Sequence, residues 1–178
     1  MNSPLHFQAP LAKSVKVIST TVVVILLAAT VAGCLGLPAR TPAFVQWFAV
    51  LLPPLILLAS LPFKVSGYLV SDRELTILRL GWCNRIPLTE LVSARADPSA
   101  MNGSVRVCGS GGLFGYFGWF WNRPLGIYRA YCTDLSLCVV VKLRTRTIVL
   151  TPDSPAKFVA ALNARIEPSG GEGKATRP

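Results

Sequence analysis

Two uncharged apolar runs close to the start of the chain set the terms for everything after them. Residues 17–37 read VISTTVVVILLAATVAGCLGL and residues 43–63 read AFVQWFAVLLPPLILLASLPF, each 21 residues without a charged side chain. A helix needs about 20 apolar residues to cross about 30 Å of hydrocarbon, so each run is long enough to span a bilayer. Only residues 38–42, PARTP, lie between them. So short a loop returns the second helix antiparallel to the first and leaves the segment 1–16 and everything after residue 63 on one side. Lys13 and Lys16 flank the first run and Lys64, Arg73, Arg79 and Arg85 follow the second, against Arg40 alone in the loop. By the bias of Lys and Arg toward the cytoplasm, the expectation is a multi-pass protein of the inner (plasma) membrane with both chain ends cytoplasmic.

Two details of the runs carry expectations of their own. Pro53 and Pro54 remove backbone donors in mid-helix and are expected to bend the second span. Val31-Ala32-Gly33-Cys34 also fits a lipoprotein cleavage pattern, which would move the later residues outside the cytoplasm. The next apolar run begins nine residues after Cys34, which makes a lipid anchor redundant, and small residues equally serve helix packing.

From Lys64 onward the texture changes to short alternating segments broken by Gly, Pro and Asn, the pattern of β-structure. Residues 66–70 and 74–80 flank a turn at Ser71-Asp72-Arg73. In residues 90–97, Val92, Ala94 and Ala96 alternate with Ser93, Arg95 and Asp97, and in residues 136–144, Leu137, Val139, Val141 and Leu143 mark one face. With residues 86–88, 127–133, 148–150 and a segment near Val105, the expectation is about seven antiparallel strands. Thr151-Pro-Asp-Ser-Pro155 then opens an amphipathic helix with Phe158, Leu162 and Ile166 on one stripe. Residues 168–178, PSGGEGKATRP, are expected to be disordered.

Five blocks together resemble a known family: GYLVSDRELTILRLGW at 67–82, IPLTEL at 86–91, GGLFGYFGWFW at 111–121, YRAYCTD at 128–134 and VLTPDSPAKFVAAL at 149–162. In that order they look like the bacterial pleckstrin-homology-like family of small membrane proteins. The resemblance spans Lys64 to about Arg165 and implies a fold, with almost nothing about activity. The expected architecture is two transmembrane α-helices followed by a mainly β PH-like domain, a sandwich or partly open barrel with one C-terminal capping helix. The expected parts are a short N-terminal segment 1–16, helices 17–37 and 43–63 joined by loop 38–42, the PH-like domain 64–167 and a tail 168–178.

Charge and motifs narrow the function. From Lys64 onward there are 15 basic and 8 acidic residues, which attracts that part to an acidic leaflet. Lys64, Arg73, Arg144 and Arg146 are the candidate basic surface, although Lys64, Arg73 and Arg79 lie too far apart for the phosphoinositide pattern of animal pleckstrin-homology domains. The other reading is that these cations are the solvated face of the sheet. Phe114, Tyr116, Phe117, Trp119, Phe120 and Trp121, interleaved with Gly112, Gly115 and Gly118, are candidate membrane-interface contacts. The plain reading of the same stretch is a long loop or irregular strand that completes the core.

Cys34, Cys83, Cys108, Cys132 and Cys138 lack C-x-x-C spacing, and His6 is the one histidine. No metal site, cofactor site or catalytic constellation is therefore expected, and Cys83, Cys108, Cys132 and Cys138 are expected as buried thiols. Nucleic acid is not an expected partner, because the aromatics cluster in a charge-poor stretch. The function expected is a non-enzymatic, membrane-tethered interaction or adaptor module that meets a membrane protein, a peptide or acidic lipid. The alternative is a structural or regulatory subunit whose transmembrane helices carry the assembly.

Overall fold

In a computed structural model residues 4–35 and 41–166 are described. The expectations for residues 38–40 of the hairpin loop and for the tail at 168–178 lie outside them. Helix α1, Lys13–Leu35, begins four residues ahead of the uncharged run and takes in both Lys13 and Lys16. Helix α2, Ala43–Ser60, carries on through Pro53 and Pro54 and ends in a 3₁₀ turn, Leu61–Phe63. Both are long and apolar enough to cross a membrane. At Gly33 an added Cβ would come within 3.1 Å of Val50 Cγ2 and 3.3 Å of the Ala49 carbonyl carbon. The small residues before Cys34 thus let α1 and α2 pack closely.

Among the described residues ten strands form two sheets. The first has the order β1 (Leu5–Gln8), β2 (Val65–Val70), β3 (Glu74–Arg79), β4 (Cys83–Pro87), antiparallel throughout. The second runs β5 (Leu91–Ala96), β9 (Val139–Leu143), β10 (Thr147–Leu150), β8 (Gly126–Cys132), β7 (Tyr116–Asn122), β6 (Val105–Gly111). Helix α3, Pro155–Ile166, packs over β5, where Asn163 Nδ2 donates to Ala94 O at 3.4 Å. The expected class holds: two long apolar helices, then strand-rich sheets and a C-terminal helix, with no closed barrel.

Three details depart from expectation. One strand had not been foreseen, β1 ahead of the helices, and the glycine-aromatic stretch, read as a long loop or irregular strand, supplies the regular strand β7. The sheet system is not wholly antiparallel, because β10 inserts between β9 and β8 and pairs in parallel with β8, Leu150 opposite Tyr131. The strand expected from Ser136 begins only at Val139, since Leu135–Leu137 is a 3₁₀ turn. Asp134 Oδ1 accepts from Ser136 N at 3.0 Å and makes the turn the better local option.

The main core gathers residues of both sheets and α3. Phe7, Tyr68, Ile77, Val141, Leu150, Phe158 and Leu162 are buried together. Tyr68 is fully buried there, and its hydroxyl donates to Tyr131 O at 2.7 Å and accepts from Thr151 N at 3.1 Å. Burial pushes its pKa well above the ordinary 10.0. Thr151, expected near a helix cap, instead ties strand ends together: its Oγ1 accepts from Thr133 N at 2.9 Å. A second cluster on the other face of the β8 sheet joins Phe120, Tyr128, Cys132, Cys138 and Val149 to Ala100 and Met101.

Candidate functional site

The helices and the sheets meet in a join built from the N-terminus upward. β1 lies against β2, with Phe7 opposite Tyr68, and the Phe7 ring meets Phe158 edge-on at 5.0 Å. Asp153 N donates to Gln8 O at 2.9 Å and Ala12 N to Thr133 O at 3.1 Å, just before α1 starts. The first turns of α1 are still part of the domain, since Val15 is fully buried and Ser19 is nearly so. Ser19 Oγ accepts from Phe114 N at 2.9 Å and donates to Gly112 O at 3.3 Å, so the β6–β7 turn grips α1. That turn needs unusual backbone: Phe114 has φ 59°, and Gly112, at φ 128°, passes so near α1 that a Cβ would sit 3.2 Å from Ile18 Cγ2.

Beside this join, the last turns of α2 and the β6–β7–β8 surface enclose an open cavity of about 530 Å³. Ile56, Ala59, Phe63, Leu113 and Phe117 give it an apolar wall, and Arg79, Arg106 and Arg129 bring three cations to it. Strand geometry explains part of the gathering. Arg79 ends β3 opposite Val65, immediately after the helices, and Arg129 pairs with Trp119 across β7 and β8.

Two of the three cations are arranged around rings. The Arg79 guanidinium carbon lies 4.9 Å from the Tyr131 ring centre and 5.7 Å from that of Trp82. That of Arg129 lies 5.2 Å from the same Tyr131 ring and 5.7 Å from Trp119. Arg79 Nε is buried without a hydrogen-bond partner. Burial pulls the Arg79 pKa down from its ordinary value, Tyr131 opposes the shift, and the Arg129 charge acts in the same direction as burial. A guanidinium nevertheless stays protonated in proteins. Among the described residues the ion pairs are Arg85–Glu74 at 3.9 Å, Arg95–Asp97 at 3.4 Å and Arg165–Asp72 at 3.6 Å. None of them involves a cavity arginine, so the cavity is an anion-attracting surface.

The residues singled out from sequence are divided by the fold. Of the aromatics, Phe117 and Phe120 are each 4% exposed and belong to the two cores. Phe114 and Tyr116 are half-buried at the turn, whereas Trp119 and Trp121 remain 38% and 43% exposed. Of the basic set, half-buried Lys64 stands at the helix–sheet junction. Arg73, Arg144 and Arg146 are exposed at turns beyond the opposite strand ends, where Leu88 N donates to Arg73 O and Arg144 N to Glu90 O, each at 2.9 Å. The four do not converge. Cys132 and Cys138 are buried as expected, and burial raises the Cys132 thiol pKa, but Cys83 and Cys108 are exposed. Cys108 lies on an edge strand and Cys83 opens β4 beside a turn, which strand-like spelling alone does not distinguish from an interior position.

The model of the Bacterial PH domain family matches residues 66–166. The chain belongs to the bacterial PH domain family. The bacterial PH domain match takes in β2 through α3 but not β1 or the helices, although β1 completes the first sheet. The searches of curated proteins and of solved structures each returned no match. Arg79, Arg106 and Arg129 all fall within the matched residues. Sequence reasoning missed them as a group because 50 residues separate the first from the last. The available signal was local: Arg79 and Arg129 each sit among aromatic and β-branched neighbours where a strand would otherwise spend an apolar residue.

Proposed function

We propose that this protein is a membrane-tethered bacterial PH module, held at the cytoplasmic face and acting there by contact with a membrane protein, a peptide or acidic lipid, without catalysis. The observation that carries the reading is the pairing of β1 with β2. The chain enters the first sheet, leaves through α1, returns through α2 and re-enters the same sheet at the neighbouring strand. A domain anchored on both sides of a helical hairpin cannot swing on a flexible leash, so its contacts are made beside the bilayer. The +7 balance after residue 63 favours an acidic leaflet, where each basic residue near the surface is worth about 1 kcal/mol.

Two measurements test this. In intact cells a membrane-impermeant maleimide is expected to leave the exposed Cys83 and Cys108 unlabelled until the membrane is opened; labelling in intact cells contradicts the cytoplasmic placement. Crosslinking in cells, comparing full-length protein with the helical hairpin alone, is expected to lose its partner when residues after 63 are removed. A second reading rests on the exposed apolar ridge of Trp47, Phe48, Leu51 and Leu55 on α2, which suits helix–helix assembly. It gains if the hairpin alone keeps the partner.

A further inference from the structure

We propose that the cavity between α2 and the β6–β7–β8 surface binds the phosphate headgroup of an anionic phospholipid taken from the surrounding leaflet. This rests on the reading of the chain as a membrane-tethered module and names the ligand that its join takes.

The polar half of the cavity asks for an anion. Arg79, Arg106 and Arg129 line it, and no ion pair among the described residues neutralises them. Two of these cations lie over the single ring of Tyr131, an arrangement that opposes like charges and is only partly offset by the rings. Arg79 Nε is buried and unpartnered, and a buried donor left without an acceptor is costly. A phosphate accepts from several guanidinium N–H groups at once, with the fork geometry arginine presents, and would relieve both the repulsion and the orphaned donor.

The apolar half asks for something more than a free anion. Ile56, Ala59, Phe63, Leu113 and Phe117 form a wall that a soluble phosphate would leave wet, whereas a lipid continues from its headgroup into acyl chain. The cavity also stands where such a lipid would be. Ile56 to Phe63 are the final turns of the apolar span, directly ahead of Lys64, which is the depth at which a leaflet exposes its phosphates. Its volume of about 530 Å³ is ample for a headgroup and the first carbons of its chains. A choline headgroup would bring a second cation toward three arginines, so selection is by headgroup charge.

The test is native mass spectrometry of the full-length protein in detergent, titrated separately with phosphatidylglycerol, phosphatidylcholine and inorganic phosphate. Phosphatidylglycerol is expected to bind about tenfold more tightly than phosphatidylcholine, and the Arg106→Gln/Arg129→Gln double variant to lose that preference. Arg79 is left in place in the variant because it is packed into the join. Ile56→Trp, which fills the apolar wall and removes no charge, is expected to weaken phosphatidylglycerol while sparing inorganic phosphate. Equal binding of the two lipids, or an unchanged preference in the double variant, overturns the proposal. So does inorganic phosphate that binds as tightly as the lipid, which moves the ligand's source to solution. Carbonate extraction of membranes keeps the two readings apart: protein that stays in the membrane without lipid preference refutes this site alone, whereas protein released to the supernatant refutes the tether itself.

Discussion

Arginines at the helix–sheet join and arginines elsewhere on the sheets live under opposite rules. Arg85, Arg95 and Arg165 each face a carboxylate, Glu74, Asp97 and Asp72 respectively. Arg79, Arg106 and Arg129 line a cavity instead, the first and last over aromatic rings, with no carboxylate paired to any of the three. Exposed pairs of the first kind contribute little, commonly about 0–1 kcal/mol. Crowded cations of the second kind cost stability while no anion faces them, which is the ground on which the proposal gives them a ligand. The contrast is what singles out the helix–sheet join as the proposed site.

Substitutions can break or sharpen that contrast. The largest expected effect is at Gly118, which has φ 122° and where a Cβ would run into the Cys108 carbonyl oxygen across the β6–β7 pair. Gly118→Ala is expected to cost about 3 kcal/mol or more in chemical denaturation, since backbone strain and a clash add. Gly81, equally left-handed at φ 110° but with nothing within 4 Å, is the control: Gly81→Ala should cost only the strain, about 1–2 kcal/mol.

Next comes Tyr68, whose hydroxyl fixes the Tyr131 backbone and with it the ring on which two cavity arginines rest. Tyr68→Phe leaves the Thr151 N–H and Tyr131 C=O bonds unmade and is expected to cost about 1–3 kcal/mol. It should also alter alkaline behaviour. Burial raises the Tyr68 and Tyr128 pKa values, so the folded state holds protons that the unfolded chain releases near 10.0. Stability from these groups is complete below that pH and falls as pH rises through it. A pH series of melting curves should show this loss, shallower in Tyr68→Phe. The smallest effect belongs to the paired arginines: Arg95→Gln is expected to shift stability by no more than about 0.5 kcal/mol and to leave lipid selectivity unchanged.

The sequence and the structure part company in instructive places. The helical hairpin was legible because 21 uncharged residues have few alternatives. The strands β2, β3, β9 and β10 and the helix α3 were legible because each shows its own period; β4 was caught only at its end, and in β5 the expected face of Val92, Ala94 and Ala96 did not hold, because a register shift between Leu91 and Ser93 leaves Val92 and Ala96 exposed and buries Leu91 with Ala94. β1 was not, since LHFQ is four residues long and becomes a strand only through its neighbour β2. β7 was hidden by glycines. Gly115, in the turn, and Gly118, within β7, take left-handed backbone where neighbouring backbone comes too close for a Cβ, so their spacing reports crowding as well as a turn. For the site, the aromatic stretch stood out by its spelling, but spelling cannot say that Phe117 and Phe120 turn inward while Trp119 and Trp121 stay at the surface. The basic set divides differently: Lys64 and Arg73 flank β2 at opposite ends, and only sheet order brings Arg79, Arg106 and Arg129 to one cavity.

The central claim is that the segment ahead of α1 is part of the domain, so that helices and sheets form one unit at the bilayer. Amide hydrogen exchange of residues 5–8 in the full-length protein, reconstituted in lipid nanodiscs, tests it most directly. Protection approaching that of Val65–Val70 is expected, because the two strands share a ladder from Leu5–Val70 to Gln8–Gly67. Exchange of residues 5–8 at the rate of an unstructured terminus, with Val65–Val70 still protected, would contradict the account.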